Sequence, residues 1–176
     1  MKYITSLIIT AALASSAFAG PVTYSSKGAK AVAPVAAGCA CFDPGFAIGA
    51  FGGAILPDGD GDDALGGGVL GEFFFTENIG IQGSYGLYAT DSEHHQFDGS
   101  LVLRYPIKAI CVAPYVFVGG GFATNSDTQG DFHAGAGIEA RLESLNCLGL
   151  FADGAYHWGA EDHDFTIVRL GVKLPF

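Results

Sequence analysis

The chain has 176 residues, a formal charge of −10 and only 15% charged side chains, well short of the roughly one quarter usual in soluble domains. That balance leaves no basic patch to neutralise phosphates and argues against nucleic acid as a partner. Glycine reaches 27 residues and aromatics 12%, a pairing that suits a membrane barrel with small lumen-facing side chains and rings at the interfaces.

Met1 to Ala19 reads as a cleaved export signal. Lys2 supplies the positive start, Ile4 to Ala14 the apolar stretch, and Ala17-Phe18-Ala19 the small-x-small cleavage site before Gly20. The apolar stretch is too short to span a bilayer as a helix, which needs about 20 residues. Ala37-Gly38-Cys39 has the small residues that precede a lipidated cysteine, but it lies far beyond the apolar stretch. No later segment is a long enough unbroken apolar run for a spanning helix. Residues 20–43, rich in Ala, Val, Ser and Gly without a sustained period, are expected to be an extended periplasmic lead-in.

Residues 44–176 fall into eight segments of about 10–13 residues, the length of strands tilted across a membrane. They are Pro44–Leu56, Ala64–Phe75, Ile79–Thr90, Gln96–Ile107, Val112–Thr124, Asp131–Leu142, Leu148–Trp158 and Asp164–Phe176. The connectors alternate. Those at 57–63, 91–95, 125–130 and 159–163 are mostly acidic or polar, whereas 76–78, 108–111 and 143–147 are short. An even strand count with that alternation is what an up-and-down barrel with both termini in the periplasm requires, with the acidic loops outside.

Alternation within segments supports the same arrangement. In the last one, Val168, Leu170, Val172, Leu174 and Phe176 share a face, opposite Arg169, Gly171, Lys173 and Pro175. In the sixth, Phe132, Ala134, Ala136, Ile138, Ala140 and Leu142 oppose His133, Gly135, Gly137, Glu139 and Arg141. The fourth sets Phe97, Leu101 and Leu103 against Asp98, Ser100 and Arg104, and the seventh sets Leu150, Ala152 and Tyr156 against Phe151, Asp153 and His157. The first and fifth segments are ambiguous, being apolar or glycine on both faces. A soluble lipocalin-like barrel also alternates, but it needs a polar exterior. The polar face here, mostly Gly and Ser with a few charges, is too sparse for that. The expected fold is therefore all-β: an eight-stranded antiparallel up-and-down transmembrane β-barrel, apolar outside and charged within.

Pro114-Tyr115-Val116-Phe117-Val118-Gly119-Gly120-Gly121-Phe122 resembles the fifth strand of small porin-family outer-membrane proteins, the OmpA/OmpX/opacity-type barrels. The run His133 to Leu142 resembles their sixth strand. Val172, Leu174 and Phe176 resemble the terminal signal read by the barrel-assembly machinery, which that resemblance implies as a partner alongside outer-membrane lipid and lipopolysaccharide. Full-length OmpA has a domain after its barrel that has no counterpart here, so peptidoglycan anchoring is not implied.

Three constellations carry the chemistry. The registry points Glu72, Asp98, Glu139 and Asp153 into the lumen together with Arg104, Arg141, Arg169 and Lys173. Buried charges must be paired, and an eight-stranded barrel has just room for side chains, so a filled, cross-linked core is favoured over a narrow gated channel. The second is an outer rim that includes His94, His95, His133, His157 and His163 among acids. Asp58, Asp60 and Asp62 have the spacing that opens an EF-hand loop. Asp63 and Val69 break that pattern, leaving only weak divalent-cation binding as an expectation. Zinc binding by His94 and His95 is disfavoured, because neighbouring strand residues point apart. The third is the cysteines. Cys39, Cys41, Cys111 and Cys147 all map to the periplasmic end, and the first two are expected to pair with the last two as a structural staple.

No cofactor is expected. An enzyme is not expected either: some small outer-membrane barrels modify lipid A, but His157 has no Ser nearby, and Ser92 beside His94 and Asp91 is only a loop neighbour. The expected role is structural or surface-interactive (membrane integrity, adhesion), with a small porin or gated channel as the alternative and a lipid A-modifying enzyme behind it.

Overall fold

A computed structural model of the chain describes residues 39–59, 62–89, 94–124, 128–159 and 164–176. Residues 1–38, where the sequence leads one to expect an export signal and most of the lead-in, lie outside the described residues. The strands are β1 Gly45–Pro57, β2 Ala64–Phe74, β3 Ile79–Tyr88, β4 His94–Arg104, β5 Val112–Thr124, β6 Thr128–Leu142, β7 Leu148–Gly159 and β8 Phe165–Pro175. Each pairs antiparallel with the next, and β8 pairs with β1, so the sheet closes as an eight-stranded barrel. Closure leaves every strand with two partners and no open edge, as a membrane-spanning sheet requires.

Two strands differ from the sequence expectation by as much as three residues at a limit, and the others by two at most. The fourth strand starts at His94 and stops at Arg104, ahead of Pro106, whose missing N–H cannot extend a ladder. The sixth starts at Thr128 because Thr128, Gln129 and Gly130 pair with Thr124, Ala123 and Phe122. One end of the barrel carries the turns 75–78, 105–111 and 143–147 and the C-terminal residue, and is termed the terminal end. The other carries the longer connectors and is termed the loop end.

Period-two alternation sends apolar side chains outward on every strand: Ile48, Val69, Ile81, Leu101, Val116, Ile138, Leu150 and Leu170 are all exposed. Outward aromatics gather towards both ends. Phe46, Phe73, Tyr105 and Phe176 lie near the terminal end, and Phe97, Phe122, Phe132 and Trp158 in the loop half. Tyr85, Phe97 and Phe122 run side by side across three strands, with ring centroids 4.7 and 4.8 Å apart. An apolar band between aromatic girdles is the outer surface of a barrel in a bilayer.

Long-range packing resolves the ambiguous first and fifth segments. Phe51, Tyr115 and Phe117 turn inward and are buried. They fit because glycine faces them from a neighbouring strand. A Cβ on Gly135 would lie 2.4 Å from Phe117 Cζ, and one on Gly137 would lie 2.6 Å from Tyr115 Cζ. Gly99 faces the other way, and a Cβ there would meet nothing nearer than 3.9 Å. Gly137→Ala is therefore expected to destabilise the barrel by about 1–3 kcal/mol through overpacking. Gly99→Ala is expected to be neutral or stabilising by up to about 1 kcal/mol, since glycine weakens a strand interior. Urea unfolding of the refolded barrel in lipid vesicles separates the two. Equal effects would contradict a lumen filled by ring-on-glycine packing.

Candidate functional site

The inward residues stack into tiers. Nearest the terminal end, Arg104 donates from Nε to the Glu77 carbonyl at 3.1 Å and from Nη2 to the Phe42 carbonyl at 3.2 Å. Its guanidinium lies 3.6 Å from the Phe74 ring centroid and 5.1 Å from that of Phe42. The next tier is a quartet. Lys173 Nζ donates to Glu72 Oε2 at 2.7 Å and to Glu139 Oε2 at 3.1 Å. Arg141 reaches Glu72 Oε1 at 3.4 Å and bonds Glu139 through Nε. All four side chains are buried and their charges cancel.

Above the quartet, Arg169 grips Asp153 with two bonds of 2.8 and 3.0 Å, and the Tyr115 hydroxyl donates to the same carboxylate at 2.7 Å. Arg169 also reaches Ser84 Oγ at 3.2 Å and Gln82 Oε1 at 3.3 Å. Bidentate guanidinium–carboxylate geometry of this kind is strong and orienting.

The sequence pattern pairs four acids with four bases, and the structure corrects that. Arg104 makes no ion pair among the described residues; it is held by two carbonyls and two aromatic faces. Asp98 has no Lys or Arg partner there either. It accepts from Ser84 Oγ at 3.2 Å and from Gln96 Nε2 at 2.7 Å. The cause lies in position along the barrel axis. Arg104 sits at the floor and Asp98 three side chains higher on the same strand, so each meets a different tier.

The uppermost tier was not read from the sequence as a unit. His133 and His157, assigned there to the outer rim, are buried inside the lumen. Asp131, taken only as a strand start, is buried beside them and accepts from His157 Nδ1 at 2.8 Å and from Gln96 Nε2 at 2.9 Å. Ser100 Oγ and His133 Nε2 are 2.7 Å apart. Asp131 and Gln96 share the inward parity of His133 and Asp98, so the signal was present in the alternation. Asp98, Asp131, His133 and His157 offer donor atoms all within 4.8 Å of one another. The Ser100–His133–Asp131 line has the residue types of a nucleophilic triad, but His133 Nδ1 stands 3.7 Å from Asp131, beyond a hydrogen bond. The cavity beside it, lined by Ser100, Phe117, His133 and Arg169, measures only about 10 Å³.

The cysteines close the terminal end. Cys39 bonds Cys111 and Cys41 bonds Cys147, with Cα–Cα distances of 5.2 and 5.3 Å. Cys111 and Cys147 take left-handed backbone angles, φ 54° and 60°, uncommon for residues other than glycine. The bridges seat Phe42, fully buried, against Ala113 at the mouth. Glu143, near the Cys39–Cys111 bridge, accepts from the Ala40 N–H at 3.2 Å.

At the loop end Asp58 and Asp164 both accept from the Tyr156 hydroxyl, at 3.2 and 2.9 Å. Asp62 is exposed. Asp60, Asp91, Ser92 and His163 lie outside the described residues. Val172, Leu174 and Phe176 all point outward, and the Phe176 ring is 6.3 Å from that of Phe46.

Comparison with known proteins agrees with this architecture. No curated relative matches the sequence. Among solved structures, the N-terminal β-barrel domain of Pseudomonas aeruginosa OprF is similar with a TM-score of 0.56 at 16% identity, over 76% of this chain and 100% of that one. Neisserial surface protein A gives 0.58 at 12% identity, over 74% and 97%. The outer membrane enzyme PagL gives 0.54 at 13% identity, over 74% and 99%. At these identities the likeness is one of fold. A model of the outer membrane protein β-barrel domain matches residues 5–176. With that match and the closed, apolar-coated barrel, the chain belongs to the outer membrane protein β-barrel domain family and is an outer-membrane β-barrel protein.

Proposed function

We propose that this barrel is exported by its N-terminal signal and sits with its acidic loops outside the cell. Its lumen is a braced core, and its role is structural and surface-directed rather than conductive or catalytic. One observation carries this reading: side-chain tiers bonded strand to strand cross the lumen, and the space left beside the upper tier is about 10 Å³, at the lower limit for one water. A hydrated ion has no path through such a stack. The similarity to a neisserial surface protein supports the surface assignment. The similarity to PagL records that the same fold also carries an enzyme. Phe176 and its alternating neighbours are read as the segment handed to the barrel-assembly machinery.

The test pairs two measurements in cells making the full chain. An epitope inserted between Gly61 and Asp62 should be labelled by antibody on intact cells. Lipid A mass spectra should be unchanged by overexpression. An unlabelled epitope would reverse the orientation, and a modified lipid A would replace this reading with an enzymatic one.

A further inference from the structure

We propose that the upper tier of the lumen is a binding site for a first-row divalent metal ion, zinc in the first instance, with His133, His157, Asp131 and Asp98 as ligands. Four potential donor atoms lie within 4.8 Å of one another, so small side-chain movements bring all of them onto one ion at the roughly 2 Å bond lengths of zinc sites.

An unmet bond at the centre of the cluster points to a ligand. His133 is 1% exposed, and its Nδ1 is buried without a hydrogen-bond partner. That atom lies 3.7 Å from Asp131 Oδ1 and 3.9 Å from Asp98 Oδ1. Buried polar atoms are rarely left unpaired, because the lost hydration is not replaced. Ser100 Oγ holds the opposite nitrogen, Nε2, at 2.7 Å. When Nε2 donates to Ser100, Nδ1 carries a free lone pair aimed into the cluster. A metal-ligating histidine is ordinarily oriented through its other nitrogen in this way.

Charge points the same way. Around this tier Asp98, Asp131 and Asp153 face Arg169, which is committed to Asp153. Neither Asp98 nor Asp131 has a Lys or Arg partner among the described residues, whereas the quartet below is neutral by itself. A dication removes that deficit. Two imidazoles with two carboxylates suit zinc and its neighbours better than calcium, which takes oxygen ligands, or copper(I), which prefers sulfur.

The frame is built to let these groups meet. Asp98 is on β4, and Asp131 and His133 on β6, with β5 between them. Gly119 and Gly121 clear the intervening strand: a Cβ on Gly119 would lie 2.8 Å from His133 Nε2, and one on Gly121 would lie 2.5 Å from Asp98 Oδ1. His157 is the direct cross-strand partner of His133. Towards the loop end His94 Nε2 is 3.4 Å from Gln96 Oε1, and Gln96 in turn bonds Asp98 and Asp131, so the cluster is tied to the rim by one side chain.

The competing account is that His133 is protonated and meets the carboxylates as a cation, with no metal. Calorimetric titration of zinc into the chelator-stripped, refolded mature barrel separates the two. The proposal expects one ion per barrel. His133→Gln and Asp131→Asn should weaken binding by more than about 100-fold, and Ser100→Ala by about 10- to 100-fold, the usual cost of losing an orienting partner. His95→Gln at the rim should change nothing. X-ray absorption on the zinc-loaded wild type needs no variant to fold and should show two imidazoles in a nitrogen–oxygen shell at about 2.0 Å. Absence of binding, binding that survives in His133→Gln, or a shell with fewer than two imidazoles would each overturn the site.

Discussion

Glu139→Ala is expected to destabilise the barrel by about 3–5 kcal/mol, the usual cost of stripping one partner from a buried charge network. Glu139 is 1% exposed and holds both Arg141 and Lys173. Without it, two buried cations share one carboxylate, that of Glu72. Lys173 is also 4.8 Å from the Phe151 centroid and 5.2 Å from that of Tyr115, which helps but does not replace a carboxylate. Replacing the whole quartet with Leu and Met should be far milder, because a matched apolar filling removes the desolvation cost together with the attraction. Urea unfolding in lipid vesicles measures both. A single variant as stable as the wild type would mean that water reaches Lys173, and hence that the lumen is wet.

Removing the strap is the second large effect. The bridges span sequence separations of 72 and 106 residues. In the chain-entropy account a loop near that length contributes about 4 kcal/mol. Cys39→Ser should therefore lower stability by about that amount, and Cys39→Ser with Cys41→Ser by more, though not twice as much, since one bridge already confines the strap. Phe42 would also leave the mouth, costing Arg104 a carbonyl and a ring face. The filled tiers higher in the barrel do not depend on the strap. Oxidised and reduced wild type compared by the same unfolding assay give the size of the effect, and no difference between them would contradict the staple role.

The barrel itself was legible in the sequence because alternation survives on six strands, and turn residues punctuate it at membrane-spanning intervals. The first and fifth segments were not, since Phe51, Phe117 and their outward neighbours are equally apolar. The cross-strand fits of Phe51 over Gly68 and of Phe117 over Gly135 decide which face is inside. Arg104 was legible as inward but not as unpaired, because stacking on Phe74 leaves no mark in sequence spacing. The His133–His157–Asp131 cluster was missed for a related reason. Its members lie on neighbouring strands at one height, and counting along a strand from uncertain loop ends put the histidines at the rim. The glycine run 119–121, read as part of a strand pattern, is what lets β4 and β6 side chains meet across β5.

The central claim is that the lumen is closed by its own side chains, and single-channel recording of the refolded barrel in a planar bilayer tests it most directly, with and without reductant. The account predicts no steady current in either state, because the Lys173 quartet and the Arg169–Asp153 clamp block the axis whether or not the strap is held. Steady current in the oxidised barrel, or current that switches on when Cys39–Cys111 and Cys41–Cys147 are reduced, would contradict it and make the protein a channel.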